Sequence, residues 1–335
     1  MESLPTKDAE KGVNFTVADF LEAGRERLRL SLVVGGAGMN RVIAEPTVNR
    51  LGLGLTGFFK CFAHRRLHVV GNAERAYLAS LPPDERAARF RAVLDHGARM
   101  FVYTGGHKPA AGAVRLVEEY GAVLLQTALA TRAFNRDATF VMEELGAPRT
   151  SIYGTMVEVC GLGVLFEGDP GLGKSETALG LIKNGAALVA DDLTCVRKDV
   201  AKNMLYGSAS ESTAGFMEIR GIGIMHVPRV FGVNAVRGEK RLQLVITFRR
   251  MDDIHGDIDR IGQKRMYRRI LGVDVPNIII PVSEGRDLVN LVETAAQQQK
   301  LISTGYDPVA DLSGRLRRRA VPADGTKRRG KRNGK

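Results

Sequence analysis

Apolar and polar positions follow two rhythms along the first half of this chain, and they alternate. Residues 14–29 place Phe20, Leu21 and Leu28 on a helical spacing behind Thr16, whose hydroxyl can cap a helix, so this stretch is predicted helical. Leu30–Val34 is a short apolar run that stops at Gly35-Gly36 and reads as a strand. Arg66–Val70 is a second strand, closed by Gly71. Pro82–Leu94 is predicted helical, with Pro82-Pro83 at its start and Asp84 and Glu85 in its first turn. Strand Arg99–Tyr103, helix Ala110–Tyr120, strand Ala122–Gln126 and helix Ala128–Leu145 follow. Strands separated by helices imply a small α/β domain with a largely parallel sheet. No catalytic constellation falls in it, and Gly35, Gly36 and Gly38 do not form a dinucleotide fingerprint.

The composition changes at Gly146-Ala147-Pro148-Arg149-Thr150, which is expected to be a linker. Ser151–Val159 and Gly163–Glu167 are predicted strands. The second runs into Gly168-Asp169-Pro170-Gly171-Leu172-Gly173-Lys174-Ser175, which fits the phosphate-loop pattern G-x-x-x-x-G-K-[ST]. Beyond it, Ser175 to about Lys183 has helix-forming composition with Ala178, Leu179 and Ile182 apolar. Strand, glycine loop and helix together are the context the motif needs. The glycines let backbone N–H groups turn inward around an anion, and the helix N-terminus adds partial positive charge. Lys174 can reach the outer phosphates and the Ser175 hydroxyl can ligate Mg²⁺. A glycine-rich turn without a ligand is the alternative, and the strand–loop–helix context weighs against it.

Two stretches downstream add chemistry. Ala187-Leu188-Val189-Ala190-Asp191-Asp192 is an apolar strand ending in two carboxylates. A carboxylate there can hold Mg²⁺, directly or through water, or accept the proton of an attacking hydroxyl. In Met217-Glu218-Ile219-Arg220-Gly221-Ile222-Gly223-Ile224, an extended backbone puts Glu218 and Arg220 on one face and Ile219 on the other. Glu218 offers the hard oxygen that Mg²⁺ requires.

Composition narrows the class. The 335 residues are 44% hydrophobic and 26% charged, as in a soluble protein of two cores, and no apolar run is long enough to span a membrane. The polar start, Met1 to Val13, is unlike a secretory signal. Cys61, Cys160 and Cys195 lie far apart, which suggests reduced thiols in a cytoplasmic protein, and the six histidines lack metal-ligand spacing. The net charge of +12 is concentrated at one end: Arg315–Lys335 holds ten Lys/Arg and one acid, leaving +3 for everything before it. This tail is expected to be disordered and solubilising. Without aromatics among its charges, nucleic acid is an unlikely partner.

In order and spacing, several stretches resemble the HPr kinase/phosphorylase family, which phosphorylates and dephosphorylates a serine on the phosphocarrier protein HPr. They are Gly168–Thr177, Leu188–Asp192, Glu218–Gly223, Phe231-Gly232 with Ala235-Val236-Arg237, Asp259-Arg260-Ile261-Gly262, Ile270–Val273 and Pro281-Val282 with Gly285–Leu288. Asn49-Arg50 and Leu53 with Gly57-Phe58-Phe59 extend the resemblance to the first half, about residues 15 to 312 in all. The resemblance implies a kinase domain similar to phosphoenolpyruvate carboxykinase, a cytoplasmic hexamer and a role in carbohydrate metabolism. It assigns Lys174 to the nucleotide phosphates within the binding loop Gly168, Asp169, Pro170, Gly171, Leu172, Gly173, Lys174 and Ser175. Ser175 and Glu218 become Mg²⁺ ligands, Asp192 the base for the serine proton and the acid of the reverse step, and Arg260 a catalytic arginine. The chain departs from the family pattern at three places. Tyr153-Gly154 stands where a His-Gly pair is usual, His226 where Asp or Asn is frequent, and Ser283-Glu284 within a late Pro-Val-Arg-Pro-Gly-Arg stretch. Tyr153 thereby takes a catalytic position, and the phosphorylase direction is expected to be the weaker one.

The expected architecture is therefore α/β in two domains: residues 1–147, a phosphate-loop kinase/phosphorylase domain at 148–312, and a basic tail at 313–335. The expected activity is Mg²⁺-dependent serine phosphorylation of an HPr-like carrier, with ATP or pyrophosphate as donor. A small-molecule kinase or carboxykinase relative, and a nucleotide-binding regulator with reduced catalysis, are the alternatives.

Overall fold

The computed structural model describes residues 14–253 and 265–320. The described residues form two compact units, one running up to Arg149 together with Lys198–Lys202, the other comprising Thr150–Arg197 and the described residues from Asn203 onward. The division lies inside the stretch expected to be a linker.

The first unit contains α1 (Val17–Gly24), β1 (Leu30–Val34), β2 (Val48–Arg50), α2 (Gly52–Leu55), β3 (Leu67–Val70), α3 (Asn72–Ser80), α4 (Pro83–Asp95), β4 (Met100–Tyr103), α5 (Ala111–Glu119), β5 (Val123–Thr127) and α6 (Thr131–Leu145). Thr16 caps α1 as expected: its hydroxyl accepts from the Asp19 N–H at 3.2 Å, and the Asp19 carboxylate accepts from the Thr16 N–H at 2.7 Å. This reciprocal box contributes about 1 kcal/mol. The sheet order is β1-β5-β4-β3-β2, with β2 to β5 parallel and β1 antiparallel to β5. Alternation along the strands feeds two cores. Leu67, Val69, Met100 and Val102 meet Phe20 of α1 and Phe134 of α6 on one face. Val70, Phe101 and Tyr103 meet Leu78, Phe90 and Leu116 on the other.

The second unit contains β6 (Arg149–Tyr153), β7 (Thr155–Val159), β8 (Leu162–Glu167), α7 (Lys174–Lys183), β9 (Ala187–Ala190), β10 (Leu193–Asp199), β11 (Met204–Ser208), β12 (Phe216–Ile219), β13 (Gly223–His226), α8 (Val227–Phe231), β14 (Glu239–Arg250), β15 (Met266–Ile270), β16 (Val273–Val282), α9 (Leu288–Ser303) and α10 (Pro308–Ala320). Nine strands form one sheet around β14, which runs parallel to β8 on one side and to β16 on the other. β12 and β13 form a separate antiparallel hairpin. α7 and α9 cover the sheet face lined by Val164, Phe166, Leu244, Ile246 and Phe248.

Two expectations for the second unit change. Ser151–Val159 is two strands, because Gly154 breaks the run: its N–H bonds to the Asp192 carbonyl at 2.8 Å, and any side chain there would strike the Phe166 carbonyl. The tail is helical to Ala320 rather than disordered from Arg315. Asp307 caps α10 by accepting from the N–H groups of Val309 (3.0 Å) and Ala310 (3.2 Å), and Arg315 pairs with Asp311 one turn back. The rest of the basic stretch lies outside the described residues.

Candidate functional site

The loop begins where β8 ends. Gly168 packs so closely under the Phe248 carbonyl that a Cβ would stand 2.5 Å from that oxygen, so only glycine lets β8 leave the sheet here. Gly173, at φ 80°, is the last residue before α7 and turns the chain into the helix through a left-handed conformation. Lys174 arches back over the loop, its Nζ donating to the carbonyls of Gly168 (2.8 Å) and Asp169 (3.0 Å). The Arg220 guanidinium lies over Gly171, 3.1 Å from where a Cβ would be. Two cations thus converge on one glycine loop.

The other strand ends open on the same edge. β14 pairs Thr247 with Glu167 and leaves the sheet through Arg249 and Arg250, both exposed. β16 pairs Pro281 and Val282 with those arginines, so the exposed Ser283–Arg286 loop follows beside them. The carboxyl ends of parallel strands are where open α/β sheets bind ligands. Glu167, immediately before the loop, pairs with Arg268 of β15 at 3.2 Å.

The two carboxylates at the end of β9 have different surroundings. Asp191 is buried, and three donors surround it. Its Oδ1 accepts from the Thr155 hydroxyl (2.8 Å) and the Ser175 hydroxyl (3.0 Å), and its Oδ2 accepts from the Glu218 N–H (3.1 Å). Burial pushes its carboxyl above the ordinary carboxylate range, and the hydrogen bonds from Thr155, the Glu218 backbone and Ser175 pull the other way. Asp192 is exposed and sits at φ 59°, inside a three-residue turn closed by the Leu193 N–H on the Asp191 carbonyl at 2.7 Å. A non-glycine residue in such a turn is strained, and strain of this kind collects at working sites.

β12 alternates as expected: Met217 and Ile219 are buried, Glu218 and Arg220 exposed. No hydrogen bond or ion pair engages the Glu218 carboxylate among the described residues, whereas its backbone is tied to Asp191. Tyr153 ends β6 at 84% exposure, and the next residue, Gly154, bonds to Asp192, so Tyr153 and Asp192 belong to one hydrogen-bonded junction. His226 packs against Phe216 with ring centroids 4.7 Å apart and the planes tilted by 50°, and its buried Nδ1 has no partner among the described residues. Arg260 lies outside the described residues.

Ser175, the Glu218 backbone and, through the Gly154 junction, Asp192 are therefore joined to one framework whose hub is Asp191, while Lys174 spans the loop that leads to Ser175. Every position of β9 before Asp191 is buried, so alternation could not tell which of the two carboxylates turns inward. Thr155 and Arg268 carry no signal in the sequence, because threonine in a strand and arginine at a sheet edge belong to no motif. The Ser175 hydroxyl and the Glu218 carboxylate are oxygen groups of the kind Mg²⁺ takes, one or two from the protein with phosphate and water completing its shell. Among the described residues, no cluster of three His, Cys, Asp or Glu could hold a metal by itself. No helix among the described residues is long and apolar enough to cross a membrane.

Comparison with known proteins covers both units. The family model described as HPr Serine kinase N terminus matches residues 15–142, and the HPr Serine kinase C-terminal domain matches residues 144–316. The chain is 38% identical over 290 residues to the HPr kinase/phosphorylase of Leptospira biflexa serovar Patoc, covering 86% of this chain and 90% of that one. Against the HPr kinase/phosphorylase of Geobacter sulfurreducens it is 33% identical over 304 residues, covering 91% and 95%. The solved structure of the Hpr(Ser) kinase/phosphatase from Coxiella burnetii is 32% identical, with a TM-score of 0.45, and covers 50% of this chain and 98% of its own. With both units matched, and with relatives aligned over nearly their full length, this chain belongs to the HPr kinase/phosphorylase family.

Proposed function

We propose that this chain is a Mg²⁺-dependent protein kinase that moves the terminal phosphoryl group of ATP to a serine of an HPr-like phosphocarrier, with phosphate-dependent removal as its weaker direction. The observation that carries the reading is the convergence of Ser175, Asp192 and the Glu218 strand on one hydrogen-bonded framework beside a phosphate loop spanned by Lys174. Backbone N–H groups of Gly168–Ser175 and the N-terminus of α7 would receive the phosphates. The Lys174 ammonium would exchange its two loop carbonyls for phosphate oxygens, lowering the charge repulsion that a nucleophile meets. Ser175 and Glu218 would hold Mg²⁺, which supplies charge neutralisation at the transferred group.

Asp192 is exposed at the tip of its turn, where an incoming serine hydroxyl can give up its proton to the carboxylate. Tyr153 would stand beside that serine and offer its phenol as a hydrogen-bonding group. Arg260 is assigned to the transferred phosphoryl group by family resemblance alone. The exposed Ile222, Ile224, Val230 and Val233 beside the site suit a protein partner or a neighbouring subunit better than a small substrate, and a cytoplasmic homo-hexamer is the assembly the family implies. The test is transfer of label from γ-labelled ATP to a purified HPr-like carrier by wild type and Lys174→Ala. Label on the carrier with wild type alone is expected; label on a small acceptor but not on the carrier would replace this reading with a small-molecule kinase.

A further inference from the structure

Three hydrogen bonds fasten the β6–β7 junction to the turn that ends β9. The Gly154 N–H donates to the Asp192 carbonyl at 2.8 Å. The Thr194 hydroxyl donates to the Gly154 carbonyl at 2.8 Å, and the Thr155 hydroxyl donates to Asp191 Oδ1 at 2.8 Å. Both threonines are wholly buried. Valine would fill the same space in these strands without a polar atom to satisfy, so each hydroxyl is present at a cost that its hydrogen bond must offset.

We propose that Thr155 and Thr194 are positioning residues with separate tasks, Thr155 for the metal side of the site and Thr194 for the proton-accepting side. The inference rests on the kinase reading above. Ser175 can offer a lone pair to a cation only if its own proton is directed elsewhere, and Asp191 Oδ1 is where it goes. The same carboxylate holds the backbone of Glu218 through Oδ2. A carboxylate turns easily about its last torsion. Thr155, donating into Oδ1 from a rigid strand, stops that rotation and so sets the distance between the Ser175 oxygen and the Glu218 strand. Outer hydrogen bonds of this type orient metal ligands without touching the metal.

Thr194 acts on the neighbouring residue. Asp192 sits at φ 59° with its carbonyl accepting from the Gly154 N–H, and the Gly154 carbonyl, on the other side of that glycine's Cα, accepts from the Thr194 hydroxyl. Without that hydroxyl the Gly154 junction loses one of its two anchors, and Asp192 is free to relax toward negative φ, carrying its carboxylate away from the acceptor.

The experiment compares wild type, Thr155→Val, Thr155→Ser and Thr194→Val. It measures Mn²⁺ affinity by electron paramagnetic resonance in the presence of a non-hydrolysable ATP analogue, alongside kcat at saturating metal. Thr155→Val is expected to weaken Mn²⁺ binding about tenfold or more, with Thr155→Ser near wild type. Thr194→Val is expected to keep Mn²⁺ affinity within about twofold while kcat falls roughly tenfold. Should Thr155→Val not fold, Asp191→Asn serves in its place, with the same loss of Mn²⁺ affinity expected. Wild type that binds no Mn²⁺ beside the analogue overturns the kinase reading and this proposal with it. Normal wild type together with unchanged Mn²⁺ affinity in Thr155→Val, or in Asp191→Asn where that variant stands in, overturns the threonine assignment alone. So does equal loss of metal affinity in the two valine variants.

Discussion

Lys174 has the simplest consequence of any residue here. Its ammonium is already poised over the loop on two backbone carbonyls, ready to exchange them for anionic oxygen. Lys174→Ala is expected to abolish phosphoryl transfer and to weaken ATP binding measured by titration calorimetry; turnover like that of wild type would remove the loop from the mechanism. The carboxylate pair makes a sharper prediction. Asp192→Asn should lose turnover by about a hundredfold or more while keeping nucleotide affinity, because an amide cannot accept the hydroxyl proton. Asp191→Asn should instead act through metal affinity, since its carboxylate organises Ser175 and Glu218. Turnover surviving in Asp192→Asn would exchange the two assignments. His68 is a residue-scale feature of the other unit. It is buried on β3 beside Phe62 and Phe101, its Nε2 is unpartnered, and burial lowers its pKa from 6.5 to about 4. The unfolded chain takes up this proton near its ordinary value, while the folded unit resists until about 4. Stability is therefore full above the unfolded value and falls as pH drops through that window, by roughly 3 kcal/mol at most. His68→Leu should flatten the melting temperature of the first unit between pH 7 and pH 4.5, and an unchanged slope would contradict the assignment.

Elements were legible where sequence rhythm and packing agree. β3, β4 and β5 are short buried runs ended by glycine or polar residues, β1 is a short apolar run buried only at Leu30, and their helices carry apolar stripes, so periodicity located each within a few residues. β2, at three residues, and α2, with sequence Gly-Leu-Gly-Leu, are too short to show a period, and the α1 helix stops at Gly24, well before the predicted end. The phosphate loop was legible because its glycines answer to backbone geometry that no other residue satisfies. The hub around Asp191 was not, because it joins β7, α7, β9 and β12, and no local pattern encodes a four-element contact. The loop after β16 carries its own prediction. Phosphorolysis sets inorganic phosphate beside a phosphoserine, and two anions so close need extra cations or proton donors. Ser283 and Glu284 supply neither, though Arg249, Arg250 and Arg286 lie along the same edge, with Arg286 donating to the Pro281 carbonyl at 3.2 Å. The kinase rate should exceed the phosphorolysis rate, and Tyr153→His with Ser283→Arg and Glu284→Pro should raise the second relative to the first. Both rates measured on one carrier at saturating phosphate decide it: an unmoved ratio contradicts the account.

At the scale of the whole molecule, charge is divided by location. The bulk of the chain is near neutrality, and most of the net +12 lies beyond the last strands, from Arg315 onward. Helix α10 takes up the first part of that basic stretch, with Asp307 capping its start and Asp311 pairing with Arg315. The catalytic proposal needs none of this charge, since every residue assigned to binding or transfer lies before it. On this proposal a phosphate loop, an exposed carboxylate and an apolar rim together serve transfer of phosphate to a protein serine. The most direct test incubates the full chain with Mg-ATP and an HPr-like carrier from the same organism, then locates the added phosphate by tandem mass spectrometry. One phosphoserine on the carrier, absent with Asp192→Asn, is the predicted result; an unmodified carrier under conditions where the protein binds ATP would contradict it.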